Sequence, residues 1–137
     1  MRKYYKYYVC PHCFEQISKC KCEVYPQNLL HIDINLQKPI REINKKGYRT
    51  LGCCEGHFDK HDTELYIVIN LDMDKDFAEL PQGFKSYRQL PSSAYKIYYE
   101  YQSNEDEENF ELEKQNSINR LNAWIDAMPE YDGRFKY

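Results

Sequence analysis

Glu64-Leu65-Tyr66-Ile67-Val68-Ile69-Asn70-Leu71 is the strongest strand signal in the chain, dense in Ile and Val. Upstream, Leu36, Ile40 and Ile43 share one face of a helix predicted over Leu36 to Lys46. Pro39 sits in its first turn, where its missing N–H costs nothing, and Gly47 stops it. Before that helix, the alternation of Leu30, Ile32 and Ile34 permits either a short strand or an extended lead-in. Tyr48 to Leu51 reads as a short strand, and Gly52 to His61 as the loop leading to residue 64. Downstream, Asp72 to Gly83 is polar. Phe84 to Leu90 and Ala94 to Gln102, parted by Pro91-Ser92-Ser93, read as a hairpin. A last helix is predicted from about Glu105 to Met128, with Phe110, Ile118, Leu121, Ile125 and Met128 in one stripe and Pro129 beyond it. Two helices on one face of a mostly antiparallel sheet form the simplest closed arrangement of these elements, so the fold class is α+β. A cysteine-rich head over residues 1–26 precedes an α+β body over 27–137, the whole making one compact unit.

The head carries the clearest chemistry. Cys10-Pro11-His12-Cys13 and Cys20-Lys21-Cys22 supply four thiols in two pairs. A Cys-x-x-Cys turn brings two sulfurs to one side, and a Cys-x-Cys on extended chain places both on one face because the strand period is two. Four thiolates satisfy the charge and tetrahedral geometry of zinc and leave no position for substrate, so the expectation is a structural zinc on Cys10, Cys13, Cys20 and Cys22. His12, between two ligands, is expected to face solvent. Nothing after the Cys-x-x-Cys resembles the βαβ context of a redox pair.

Thr50-Leu51-Gly52-Cys53-Cys54-Glu55-Gly56-His57 is open to three readings. Cys53, Cys54, His57 and His61 are candidates for a second metal site, with Asp59 or Asp62 able to complete it. Cys54 and His57 are alternatively a nucleophile and its base, which requires a lowered thiol pKa and a cleft. In the third reading the glycines shape a tight turn and the cysteines pack as small core residues.

The run Ile40-Arg41-Glu42-Ile43-Asn44-Lys45-Lys46-Gly47-Tyr48-x-Thr50-x-x-Cys53-Cys54-Glu55-Gly56-His57, with Tyr66-Ile67-Val68-Ile69 after it, resembles small uncharacterised zinc-head proteins of low-GC bacteria and their phages. The likeness spans about residues 10–84 and includes Leu80-Pro81-Gln82-Gly83-Phe84; it implies no activity. The helix and strand leading into the cysteine turn are also similar, more faintly, to wybutosine-synthesis methyltransferase-like proteins. Those carry a Thr-x-Ser-Ser-Cys-Ser-Gly-Arg turn where this chain has Cys53, Glu55 and His57, and no glycine-rich cofactor loop follows here, so the likeness assigns no catalytic residue.

Charge is divided unevenly. Residues 1–60 hold 11 Lys or Arg against 6 Asp or Glu, and residues 61–137 hold 8 against 16, a balance of +5 and −8 within a net −3. Met1-Arg2-Lys3-Tyr4-Tyr5-Lys6-Tyr7-Tyr8 mixes cations with rings, the composition of a single-strand nucleic-acid surface through Tyr4, Tyr5, Tyr7 and Tyr8, or of an edge strand packed on the zinc knuckle. The sequence pI of 5.8 opposes strong nucleic-acid affinity. Glu105, Asp106, Glu107 and Glu108 open the last helix, where its dipole favours carboxylates, and could also engage a protein partner by mimicking phosphates. Asp72-x-Asp74-x-Asp76 starts like a calcium loop, but Phe77 and Gly83 stand where that loop needs Gly and Glu. No apolar run is long enough to span a bilayer, and the first residues lack the core of a secretory signal, which makes the bacterial cytoplasm the expected compartment. These features point to a zinc-containing protein that binds another macromolecule, phage-encoded and inhibitory in the manner of an anti-CRISPR protein. Nucleic-acid binding and thiol enzymology are the alternatives.

Overall fold

Leu65, Ile67 and Ile69 are buried while Glu64, Tyr66, Val68 and Asn70 between them are half-exposed, so one face of this strand is core and the other is open. The computed structural model describes residues 8–23, 29–88 and 92–131. Its elements run β1 (Tyr8–Val9), β2 (Leu30–His31), α1 (Gln37–Lys45), β3 (Arg49–Cys54), β4 (Glu64–Asn70), β5 (Lys85–Arg88), β6 (Ala94–Glu100) and α2 (Glu107–Ala127). β1 and β2 pair in a small antiparallel sheet, Tyr8 opposite His31. The main sheet has the order β3-β4-β6-β5 and is antiparallel throughout, with seven register pairs along β4 and β6. The fold is α+β, with both helices against the core face of the main sheet. No helix among the described residues is long and apolar enough to cross a membrane.

The helices are held by their ends as well as by their stripes. α1 buries Ile40 and Ile43, and its chain reverses at Gly47, whose φ of 94° is left-handed. The residue immediately after the helix end ties the two helices together: Lys46 donates through Nζ to the carbonyls of Ile125, Asp126 and Met128 at 2.6–2.9 Å. A cation thereby satisfies the unpaired carbonyls at the C-terminus of α2 and opposes its dipole. At the other end Asp106 caps α2, accepting from the Glu108 N–H at 3.1 Å. The predicted stripe of Phe110, Ile118, Leu121, Ile125 and Met128 is buried, and Lys114 and Ser117 are buried with it.

Two stretches differ from the sequence reading. Between Asn28 and Ile34 only Leu30–His31 is strand, and Ile34–Leu36 is a 3₁₀ turn leading into α1. The strand read as Tyr48 to Leu51 continues through Cys54, because Gly52, Cys53 and Cys54 find ladder partners in Val68, Ile67 and Tyr66. The register also shifts between Thr50 and Gly52, leaving Leu51 as an extra, half-exposed residue. Such a bulge reverses the alternation of faces beyond it. Thr50, opposite buried Ile69, faces the helices and accepts from Asn44 Nδ2 at 2.6 Å. Without the bulge Cys54 would share that face; with it Cys53 does, opposite buried Ile67, and Cys54 emerges beside Tyr66 on the open face.

Candidate metal centres

The head folds as two chain reversals that face each other. Phe14 N–H bonds the Cys10 carbonyl at 2.9 Å, Cys10 N–H bonds the Glu15 carbonyl at 3.0 Å, and Phe14 takes a left-handed φ of 60° between them. This turn aims the N–H groups of His12 and Cys13 at Cys10 Sγ, at 3.2 and 3.4 Å. Cys22 N–H does the same for Cys20 Sγ at 3.2 Å. Cys13 Sγ and Cys20 Sγ are 3.6 Å apart, and all four sulfurs lie within 4.8 Å of one another. His12 is exposed at the tip of the first turn.

Crowding the sulfurs has an electrostatic consequence. Burial works against ionising Cys10, but the N–H groups of Cys13 and His12 outweigh it and lower its pKa. The fourth thiol bears the cost: the sulfurs of Cys20 and Cys10 push Cys22 up to about 12. Four thiolates cannot coexist here without a cation, and backbone donors already serve two of the sulfurs. Cys10, Cys13, Cys20 and Cys22 therefore fit a metal ion held by sulfur.

A second convergence lies at the end of β3, and each residue of Cys53-Cys54-Glu55-Gly56-His57 has a distinct position in it. Cys53 packs against the core; burial, with Asp33 and Cys54 nearby, pushes its thiol up to about 12. Cys54 Sγ accepts from the Gly56 N–H at 3.4 Å. Its pKa is raised by burial and then by the charges of Asp33, Asp62 and Glu55. Glu55 turns inward to meet Lys114 of α2, Oε2 to Nζ at 2.9 Å, the two side chains being only 7% and 6% exposed. The same carboxylate accepts from Asn35 Nδ2 at 2.8 Å. Gly56 has a φ of 86°, and an added Cβ would lie 2.5 Å from the Tyr101 ring; that ring's hydroxyl donates to the Glu55 carbonyl at 2.6 Å. His57 directs Nε2 at Asp33 Oδ2, 3.2 Å away.

Asp33, Cys54 and His57 thus present three ligand atoms within 4.8 Å of one another. Of the residues singled out in sequence, Cys54 and His57 belong to this set; Cys53 points to the core, and His61 and Asp59 are exposed outside it. Asp33 was not legible as a site residue. An Asp just ahead of a helical turn reads as a cap, yet its side chain makes no capping bond and instead accepts from the Glu55 N–H at 2.9 Å. Lys114 was equally hidden among the charges of α2.

Glu105, Asp106, Glu107 and Glu108 are all exposed. Tyr4, Tyr5 and Tyr7 lie outside the described residues; Tyr8 is half-buried in β1 with its ring edge-on to His31 at 5.3 Å. The chain matches no family model, no curated protein and no solved structure.

Proposed function

We propose that this chain is a zinc-binding protein that acts by holding another macromolecule, with the acidic start of α2 as its contact surface. The observation that carries the reading is the convergence of Cys10, Cys13, Cys20 and Cys22. A Zn–S bond of about 2.3 Å gives a tetrahedron edge of about 3.8 Å, close to the 3.6 Å between Cys13 Sγ and Cys20 Sγ. Four sulfurs close the coordination shell, so this zinc is structural: it holds the head against β2 and takes no part in turnover.

Binding rather than catalysis is supported by the surroundings of Cys54, where the carboxylates of Asp33, Asp62 and Glu55 oppose the thiolate that a nucleophile requires. It is supported also by four exposed carboxylates in sequence at the start of α2. Such a surface suits a cationic groove built for nucleic-acid phosphates. The sharpest form is an inhibitor of a defence nuclease in the bacterial cytoplasm, phage-encoded and anti-CRISPR-like.

The test is DNA cleavage by a panel of purified RNA-guided nucleases, with and without the zinc-loaded protein. The comparison variant carries Glu105→Gln, Asp106→Ser, Glu107→Gln and Glu108→Gln, in which Ser keeps the helix cap. Inhibition by the parent and not by the variant supports the reading. Inhibition by both refutes the acidic surface, and inhibition by neither refutes the inhibitor. Zinc content by plasma mass spectrometry tests the head separately.

A further inference from the structure

We propose that Asp33, Cys54 and His57 form a second metal site, for a divalent transition-metal ion such as Zn²⁺, with one coordination position left to water. Three features of the structure converge on it. First, the ligand types are a carboxylate, a thiol and an imidazole, the mixed set that borderline metals take, brought within 4.8 Å of one another from two separate pieces of chain. Asp33 comes from the entry to α1, Cys54 from the last position of β3 and His57 from the turn beyond it.

Second, the two anionic ligands are already supported from behind. Asp33 Oδ2 receives the Glu55 N–H at 2.9 Å and Cys54 Sγ the Gly56 N–H at 3.4 Å. Outer hydrogen bonds of this kind orient metal ligands. The Asp33 carboxylate is held there in place of capping the helical turn that it precedes. The support is itself rigid: Glu55 is clamped by Lys114 and Asn35, and Gly56 is wedged against Tyr101.

Third, the local charge is negative. The Asp33 carboxylate lies within 4.8 Å of the Cys54 sulfur, and Lys114, the buried cation of α2, is already engaged by Glu55. A divalent ion supplies the missing positive charge. The bulge at Leu51 contributes by placing Cys54 on the open face of the sheet while Cys53 goes to the core. With Asp33 14% and His57 30% exposed, solvent reaches the site. Three protein ligands and a water are the arrangement of zinc centres with an exchangeable position, whereas the four-cysteine set is closed. On loading, the Cys54 sulfur–hydrogen bond gives way to a sulfur–metal bond and the proton leaves to solvent, while His57 binds through a neutral ring nitrogen.

The experiment counts zinc on the full chain by native mass spectrometry, after loading with excess Zn²⁺ and buffer exchange. Two zincs per chain are expected in the parent and in Cys53→Ser, and one in Cys54→Ser and in His57→Ala. His57 is partly exposed, so its variant keeps the fold, which circular dichroism checks. A Co²⁺ titration of the same proteins should show the second site weakened at least about 100-fold in both variants, beyond what loss of a merely supporting partner costs. One zinc in the parent that survives Cys54→Ser overturns this site and leaves the four-cysteine reading intact. One zinc that disappears with Cys54→Ser upholds this site and overturns the head. Two zincs retained in either the Cys54 or the His57 variant also overturn it.

Discussion

Replacing Lys114 by Met tests whether the buried ion pair is what anchors the Cys54–His57 turn to α2. Lys114 Nζ lies 2.9 Å from Glu55 Oε2 and 3.4 Å from Glu111 Oε1, and it sits 5.4 Å from the centre of the Phe110 ring. Met keeps most of the aliphatic stem, so the packing on Phe110 survives and the change isolates the charge. Glu55 then keeps its Asn35 donors and loses its only buried cation among the described residues. Removing one partner of a buried pair costs about 3–5 kcal/mol, because the remaining charge is stranded at low dielectric. For a chain of this size that is a fall in Tm of roughly 10–20 °C. The assay is urea and thermal unfolding by circular dichroism at fixed zinc concentration, since bound metal shifts the apparent stability. The second arm adds Glu55→Gln, which removes the stranded charge. The double variant should regain at least about half of the loss, a coupling that only contacting residues show. A loss under about 1 kcal/mol, or strict additivity of the two changes, would refute the argument.

Gly56→Ala should destabilise by about 2–4 kcal/mol, from the left-handed φ of 86° and the forced shift of the Tyr101 ring; an unfolding midpoint within error of the parent counts against that packing. Glu113 accepts from Tyr99 Oη and from the N–H groups of Gln102 and Ser103, at 2.9 and 2.8 Å for the latter two. Burial opposes its charge, but these donors prevail and hold its pKa below the ordinary 4.5. A lowered folded-state value means stability present above the ordinary carboxylate range and lost as pH falls through the folded value. Glu113→Gln should therefore cost about 1–3 kcal/mol near pH 7 and much less near about pH 3, read from urea midpoints; a pH-independent difference rejects the account. The Cys53 thiol, raised from 9.0 to about 12, should have about a thousandfold less thiolate at neutral pH than an ordinary cysteine. Iodoacetamide labelling followed by peptide mass spectrometry should find it slower than free cysteine, and faster labelling counts against the burial of Cys53 on the core face of β3.

The elements were legible because their signals are local. The Ile and Val density of residues 64–71, Gly47 behind Ile40 and Ile43, and Pro129 behind the stripe of α2 each act within one or two turns of chain. The four-cysteine head was legible for the same reason: all its thiols lie within 13 consecutive residues, and their spacing alone confines the sulfurs to one small volume. The second site was only half visible. Cys54 and His57 are three residues apart, but Asp33 stands 21 residues before Cys54 and reaches it only because the chain entering α1 runs past the end of β3. Lys114 is 59 residues from Glu55, and nothing in its own helix distinguishes it from an exposed lysine.

What the sequence determined alone is the two helices and the four strands of the main sheet, the α+β class and the clustered thiols of the head, since each follows from periodicity, steric limits or ligand spacing along a short run. What only the tertiary structure decided is which of two adjacent cysteines faces outward and which distant residues surround it. A single unpaired residue at Leu51 reverses the faces of β3, and that bulge is set by pairing with β4, not by any preference of Leu51 itself.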